Sequence, residues 1–274
     1  MRDLPGRLVL VGHPVAHSLS PTFQNAALDA AAIPLRYEAL DVAPSDLGAM
    51  MGLLADAGAA GNVTLPHKEA VYAWCARRTT VAERAGAVNT FWTEEGMLVG
   101  DNTDVGGFTH AVERLLGRAP EGLRLGMLGA GGAAAAVCTA VEQWADSRVV
   151  VHARTRVRAE QLAARFDGVV RVAESELATV QDVDLLVNAT PLGLADGALM
   201  PIAPGVIPPS VAVLDLTYRR GRTPFVKACR ARGLAADDGL PMLVEQGALA
   251  FERWFGVTPD REAMWRSIRA PEQD

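Results

Sequence analysis

Short apolar runs alternate with longer stretches of three- to four-residue periodicity along most of this chain. Leu8-Val9-Leu10-Val11-Gly12 reads as a buried strand, and residues 22–32 as the helix after it, with Ser20 at the N-cap and Pro21 at the first helical position. A strand over 36–42 and a helix over 45–57 repeat the pattern. In Gly61-Asn62-Val63-Thr64-Leu65, Asn62 and Thr64 alternate with apolar residues, so one face is polar where a strand of this kind is usually apolar on both. Pro66 ends it, and a helix over 68–78 follows. Residues 86–92 form a strand, Glu94-Glu95-Gly96 a hairpin turn and 97–100 the return. Asp104 then stands at the N-cap of a helix over 105–116.

Residues 123–128 make an apolar strand that runs into Gly129-Ala130-Gly131-Gly132-Ala133-Ala134, and an Ala-rich helix over 133–144 opens on that turn. A strand over 148–153, a helix running from Arg158 to Phe166, strands reaching Asn188 and Tyr218, a helix over 223–231 and a short strand in 233–237 continue the alternation. Asp238-Gly239-Leu240-Pro241 is turn chemistry ahead of two last helices, 242–255 and 260–269, and the final four residues are expected to fray. Strand–helix alternation of this kind predicts an α/β protein. Two domains are expected, 1–104 and 105–240, with the helices of 241–274 returning to complete the first.

Composition narrows the classes. Half of the 274 residues are hydrophobic and the formal charge is −6, which allows a large core and offers no basic footprint for nucleic acid. Cys75, Cys138 and Cys229 are few, odd in number and far apart, which argues against a disulfide framework and fits a reducing compartment. Arg2, Asp3 and Arg7 precede a strand too short for a secretory signal, and the uncharged run 126–141 is short and broken by glycines. A soluble, cytoplasmic protein without membrane or nucleic-acid partners is expected.

The Gly-rich turn carries the first candidate chemistry. Gly129 permits the sharp turn, Gly131 lets backbone approach a pyrophosphate, and Ala134 lets the helix lie close to the strand. Free N–H groups at the new helix face the phosphates. The same turn also occurs in βα units that hold no ligand. After the next strand comes Arg154-Thr155-Arg156-Val157-Arg158, where a site reading a ribose hydroxyl carries Asp or Glu; guanidinium suits a 2′-phosphate, so NADP is expected rather than NAD, unless these arginines are only a solvated turn.

The first domain offers a proton carrier. Ser18 and Ser20 alternate in the loop after the first strand, so in an extended loop both hydroxyls point one way and cradle a small carboxylate; Ser20 also serves as a cap. His13 and His17 stand four apart with Pro14 between them and no third ligand nearby, so no metal site is expected. Lys68 falls in the first turn of its helix, where the dipole disfavours a cation and so favours giving up a proton. Asp104 can hold that lysine, or can be a cap alone. The bland reading of Lys68 is a surface lysine.

Taken together, Ala16-His17-Ser18-Leu19-Ser20-Pro21, Asn62-Val63-Thr64-Leu65-Pro66-His67-Lys68, Gly86-Ala87-Val88-Asn89-Thr90, Asp101-Asn102-Thr103-Asp104, the Gly129 turn, Asn188-Ala189-Thr190-Pro191-Leu192-Gly193, Asp215-Leu216-Thr217-Tyr218 and Gly239-Leu240-Pro241-Met242-Leu243-Val244-Glu245-Gln246 resemble the shikimate dehydrogenases, in that family's order and over nearly the whole chain. The resemblance implies an N-terminal α/β substrate domain, a Rossmann-type dinucleotide-binding domain and a deep cleft between them. It implies reversible NADPH-dependent reduction of 3-dehydroshikimate to shikimate, a step of aromatic amino-acid biosynthesis. By the same resemblance Lys68 is the catalytic acid/base, coupled to Asp104. Ser18 and Ser20 bind the substrate carboxylate, and Thr64, Asn89, Asp104, Tyr218 and Gln246 hold ring hydroxyls. Gly129, Ala130, Gly131, Gly132, Ala133, Arg154, Thr155, Arg158, Thr190, Leu216 and Gly239 are expected to contact NADP. The family's Asn-Arg-Thr loop reads Ala153-Arg154-Thr155 here, which loses an amide near the adenosine and keeps the arginines. A quinate or dual quinate/shikimate dehydrogenase is the alternative, and a non-catalytic NADP sensor a lesser one; Lys68 with Asp104 favours an enzyme, since a binder needs no proton carrier. A monomer or homodimer acting on a small molecule is expected.

Overall fold

Strand β1 (Leu8–Gly12) is buried at every position, as an apolar run with a parallel neighbour on each side requires. Helix α1 (Ser20–Ala30) begins two residues before the expected start. Ser20 is therefore not its cap: Leu19 holds that position without a side-chain bond, and Ser18 Oγ accepts the Ser20 N–H at 3.2 Å. Next come β2 (Tyr37–Asp41), α2 (Leu47–Asp56), β3 (Ala60–Val63) and α3 (Lys68–Trp74). The helix expected over 68–78 stops at Trp74, because Cys75 turns extended and Arg77–Arg78 form β4, paired with residues 99–100. Then α4 (Thr80–Ala85) appears where no helix was expected. Thr79 Oγ1 caps it by accepting the Ala82 N–H, and Gly86 closes it at φ 56°. The strand expected from Gly86 joins a ladder only at β5 (Thr90–Glu94), which turns back into β6 (Met97–Asp101).

The structure, a computed structural model, describes residues 4–269, so the expected fraying of the last four residues lies outside it. The chain divides into two compact units, one comprising residues up to Gly107 and from Leu243 onward, the other Phe108–Met242. The first unit holds a six-stranded sheet in the order β2-β1-β3-β5-β6-β4. Strands β2, β1 and β3 run parallel, while β5 is antiparallel to both β3 and β6. Val9, Val11, Met51, Leu54, Val63, Val71 and Phe91 fill the core on one face.

Helix α5 (Asp104–Leu116) crosses the boundary in sequence. The second unit continues with β7 (Arg124–Leu128), α6 (Gly132–Glu142), β8 (Arg148–His152), α7 (Arg156–Arg165), β9 (Val170–Val172), β10 (Leu185–Asn188), β11 (Ala212–Asp215), α8 (Pro224–Ala231) and β12 (Ala236–Asp237). Its all-parallel sheet runs β12-β11-β10-β7-β8-β9. Numbered within the unit this is the doubly wound order 3-2-1-4-5-6, whose direction reverses between β7 and β10, where ligands of such sheets bind. Helix α7 starts at Arg156, ahead of the expected Arg158, and β9 was not expected. Leu128, Leu186, Val213, Phe225 and Val226 belong to its core.

Helix α9 (Leu240–Phe255) begins two residues earlier than expected, since Pro241 fits a first turn and Asp238 Oδ1 accepts the Leu240 N–H at 3.1 Å. Helix α10 (Arg261–Ile268) is capped by Asp260 and tied to α9 by Arg261, which reaches Glu245 at 2.7 Å and Glu252 at 3.2 Å. Gln24 of α1 donates to the Gly247 carbonyl at 2.9 Å. Cys75, Cys138 and Cys229 are all buried, and none of them is in a disulfide. Among the described residues no helix is long and apolar enough to cross a membrane.

Candidate active site

Lys68 is the first residue of α3. The turn before it closes through the His67 N–H to the Thr64 carbonyl at 3.0 Å. Its direction is set by His67, whose buried ring lies 2.7 Å by Nε2 from the Val42 carbonyl. The Lys68 carbonyl accepts the Val88 N–H at 2.9 Å, which brings Asn89 alongside. Lys68 Nζ donates to Asp104 Oδ2 at 2.6 Å, with side-chain exposures of 19% and 9%, so the pair is shielded from bulk water but reachable.

Asp104 is the first residue of α5, and its carboxylate serves Lys68 and Asn89 rather than capping the helix; its own N–H goes to Asn102 Oδ1 at 3.2 Å. Asn89 Nδ2 stands 2.9 Å from Asp104 Oδ1 and 3.1 Å from Gln246 Oε1, and the Gln246 amide donates onward to the Leu243 carbonyl at 2.8 Å. Four residues separated by up to 178 positions in the numbering thus form one hydrogen-bonded group: Lys68, Asp104, Asn89 and Gln246. An ammonium beside a carboxylate whose second oxygen is already occupied is a fixed proton donor and cation.

Ser18, Ser20 and Thr64 make no side-chain hydrogen bond to this group. Ser18 lies in a turn, its N–H donating to the Val15 carbonyl at 3.1 Å, so the two serines are set by that turn and the start of α1 rather than by the alternation of an extended loop. Thr64 follows β3, its methyl packed over Gly12. The loops after β1 and β3 run side by side, joined by the His13 N–H to the Leu65 carbonyl at 3.0 Å. His13 Nδ1 pairs with Asp41 Oδ1 at 2.5 Å, and among the described residues no three His, Cys, Asp or Glu side chains are placed to hold a metal ion. Sequence reading missed His67, Tyr37 and Thr90; the polar Asn62 in an otherwise apolar strand was the signal for the last two, which bond to it.

In the second unit the turn after β7 fits a dinucleotide. Gly129 sits at φ 106°, where an added Cβ would lie 2.8 Å from the Ala189 carbonyl oxygen, so only glycine makes this turn. At Gly131 and Gly132 an added Cβ meets nothing within 4 Å, which leaves a cradle open over the start of α6. No acidic residue stands in the first turn of α6 or α7 to repel phosphate. Arg154 and Thr155 are exposed beside that start of α7, and among the described residues Arg154 and Arg158 have no ion pair, whereas Arg156 pairs with Glu160. Ala130 and Ala133 lie in the turn and the first turn of α6, half-buried.

The loops after β10 and β11 are held by buried Asp215, which accepts from Asn188 Nδ2, Thr217 Oγ1 and Thr223 Oγ1 at 2.9, 2.9 and 2.7 Å. Burial raises its pKa against the opposing pull of those hydrogen bonds. The network shapes the loops carrying Thr190, Leu216 and Tyr218: Thr190 Oγ1 donates to Asn188 Oδ1 at 2.7 Å, and Tyr218 is half-buried. Gly239 is packed so closely that an added Cβ would lie 2.3 Å from the Leu216 carbonyl oxygen. Beside it Asp238 is buried, and burial pushes its carboxyl up to about 6.

Comparison with known proteins agrees with this chemistry. Residues 10–91 match the family model of the shikimate dehydrogenase substrate binding domain, and residues 239–269 that of the shikimate 5′-dehydrogenase C-terminal domain. A shikimate dehydrogenase (NADP(+)) of Mesorhizobium japonicum is 41% identical over 98% of this chain and 97% of its own length. The crystal structure of shikimate dehydrogenase from Aquifex aeolicus superposes with a TM-score of 0.90 at 33% identity, covering 96% of this chain and 98% of that one. The Thermus thermophilus shikimate 5-dehydrogenase in complex with NADP(H) and shikimate gives 0.86 at 39% identity, covering 96% and 98%. With relatives this similar over almost their full length, and with a lysine–aspartate pair in one unit and a dinucleotide turn in the other, the chain belongs to the shikimate dehydrogenase family.

Proposed function

We propose that this chain catalyses the reversible reduction of 3-dehydroshikimate to shikimate with NADPH. The observation that carries the reading is the Lys68–Asp104 pair at 2.6 Å, held from behind by Asn89. When bound, NADPH supplies the hydride for the ring carbonyl carbon. Lys68 lies against the carbonyl oxygen, stabilises the negative charge that grows there and gives up its Nζ proton; in oxidation it takes the proton back. Asp104 holds the ammonium in place and faces a ring hydroxyl, Asn89 holds Asp104 and donates in turn to Gln246, and Asn89, Gln246 and Thr64 take the neighbouring hydroxyls. Ser18 and Ser20 take the substrate carboxylate.

The turn from Gly129 to Ala133 seats the pyrophosphate, with Thr190, Leu216 and Gly239 toward the nicotinamide. Arg154, Thr155 and Arg158 take the 2′-phosphate, which the absence of an ion pair to either arginine among the described residues and of an acid in the first turn of α7 supports. A cytoplasmic monomer or homodimer is part of the proposal; three buried cysteines outside any disulfide support a reducing compartment.

Purified protein is tested with shikimate or quinate and NADP or NAD, following absorbance of reduced nicotinamide. Shikimate with NADP turns over fastest if the reading is right; faster turnover of quinate, or none in any cuvette, refutes it. Lys68→Ala lowers turnover by roughly two to four orders of magnitude while shikimate still binds. Parental turnover in that variant removes Lys68 as the proton carrier.

A further inference from the structure

The Lys68–Asp104 pair ends a longer chain of buried polar groups. Alternation along three strands puts Tyr37 of β2, Asn62 of β3 and Thr90 of β5 on one face of the first sheet, opposite Val9, Val11, Val63 and Phe91. These three residues are 2%, 4% and 0% exposed, a place where apolar side chains fit with no polar atom to satisfy. Instead Tyr37 Oη lies 2.8 Å from Asn62 Oδ1, Asn62 Nδ2 3.0 Å from Thr90 Oγ1, Thr90 Oγ1 3.0 Å from Asn89 Oδ1, and Asn89 Nδ2 2.9 Å from Asp104 Oδ1.

Every donor in this chain points toward Asp104. The Asn89 backbone carbonyl can only accept, and it takes Asn62 Nδ2–H at 3.1 Å. Asn62 must therefore turn its amide oxygen to Tyr37, and the phenol must donate. Burial raises the Tyr37 pKa well above its ordinary value, which keeps that proton on. The Thr90 hydroxyl accepts from Asn62 and passes its own hydrogen on to Asn89 Oδ1 at 3.0 Å, either directly or through Thr103 Oγ1, which lies 2.9 Å from Thr90 Oγ1 and 3.2 Å from that same amide oxygen. That oxygen also accepts the Thr103 backbone N–H at 2.7 Å, so the Asn89 amide nitrogen is left facing Asp104. With Oδ1 of Asp104 occupied, Oδ2 is presented to Lys68. The far end is rigid too: Asn25 grips the Tyr37 backbone N–H and carbonyl at 2.9 and 3.0 Å, and Trp254 lies 6.0 Å from its ring.

We propose that Tyr37 and Thr90 are positioning residues for the reaction, fixing through Asn62 and Asn89 the rotation of the Asp104 carboxylate and hence the place of the Lys68 ammonium. The inference rests on Lys68 and Asp104 being the reacting pair. Bonds in such a chain polarise one another, so losing a hydroxyl at its start or middle is felt at its end.

The test compares Tyr37→Phe, Thr90→Val and Thr90→Ser in the full chain by kcat, both KM values, the pH profile of kcat and thermal unfolding. Tyr37→Phe and Thr90→Val lower kcat by about tenfold, within the range a small misplacement costs. Both shift the pH profile and leave the KM for NADP unchanged. Thr90→Ser, which keeps the hydroxyl, returns both readouts to parental values, and the Tyr37→Phe/Thr90→Val double variant is no slower than Thr90→Val alone. Parental kcat and pH profile in Tyr37→Phe, or a Thr90→Ser variant as slow as Thr90→Val, overturns the proposal. If Tyr37→Phe does not fold, the Val-against-Ser contrast at Thr90 decides. An enzyme that needs Lys68 but ignores both hydroxyls loses only this chain; one that does not need Lys68 loses the proposed function itself.

Discussion

Replacing Gly131 by alanine separates cofactor binding from folding. In the chain alone an added Cβ there meets no atom within 4 Å, and φ −98° with ψ −167° is extended backbone that any residue adopts. The methyl group costs the fold nothing, and by restricting the unfolded chain it adds about 0.4–1 kcal/mol of stability. A pyrophosphate seated on the turn meets that methyl directly and is pushed off the first N–H groups of α6. Each charge-assisted hydrogen bond lost is worth ~1.5–3 kcal/mol, which is roughly a ten- to hundredfold weaker dissociation constant. Gly129→Ala is the opposite case. Its φ of 106° and the Ala189 carbonyl 2.8 Å from the new Cβ strain the free chain itself, at a cost of about 1–3 kcal/mol. Thermal unfolding without cofactor and calorimetric titration of NADP read the two effects independently. Gly131→Ala keeps or raises the melting temperature and loses NADP affinity; Gly129→Ala loses stability first. Unchanged NADP affinity in Gly131→Ala would refute the seating of the pyrophosphate on this turn, and a lowered melting temperature without cofactor would refute the open cradle.

Three further outcomes are expected. Arg154→Ala raises the Michaelis constant for NADP far more than for NAD; equal effects mean that this guanidinium does not touch the 2′-phosphate. Thr79→Ala removes both the α4 cap and a 2.5 Å hydrogen bond to buried Asp101, and lowers stability in urea by roughly 2–4 kcal/mol, so an unchanged midpoint contradicts both contacts. Asp238 titrates at about 6 in the folded chain against 3.8 for a free carboxyl, so the fold binds its proton more tightly. Its contribution is fully present below about pH 4 and is lost as pH rises through about 6, amounting to roughly 3 kcal/mol. Asp238→Asn, which keeps the acceptor for Leu240 without the buried charge, therefore raises the melting temperature at pH 8 and little at pH 4.5. The same gain at both pH values shows that the charge is not the cause.

The α/β class, the apolar strands β1, β7 and β8 and the dinucleotide turn were legible because each is a local pattern. A parallel strand with neighbours on both sides has to be an apolar run, and a strand-to-helix turn at φ 106° has to be glycine. Lys68 is legible from its own neighbourhood, a cation where the helix dipole disfavours one. Periodicity failed where the chain was captured by something distant. Residues 68–78 keep a helical pattern throughout, yet Arg77–Arg78 are pulled into the sheet by β6, and α4 hides behind the cap Thr79 supplies.

Nor does the order of residues say that Tyr37, Asn62, Thr90 and Asn89 form a line ending at Asp104, or that Gln246 joins it from α9. Backbone period sets which face a residue occupies, and it acts over a few positions. Which buried donor meets which acceptor depends on which strands lie side by side, and that is settled only when the sheet closes and each polar group shut away from water has to find a partner.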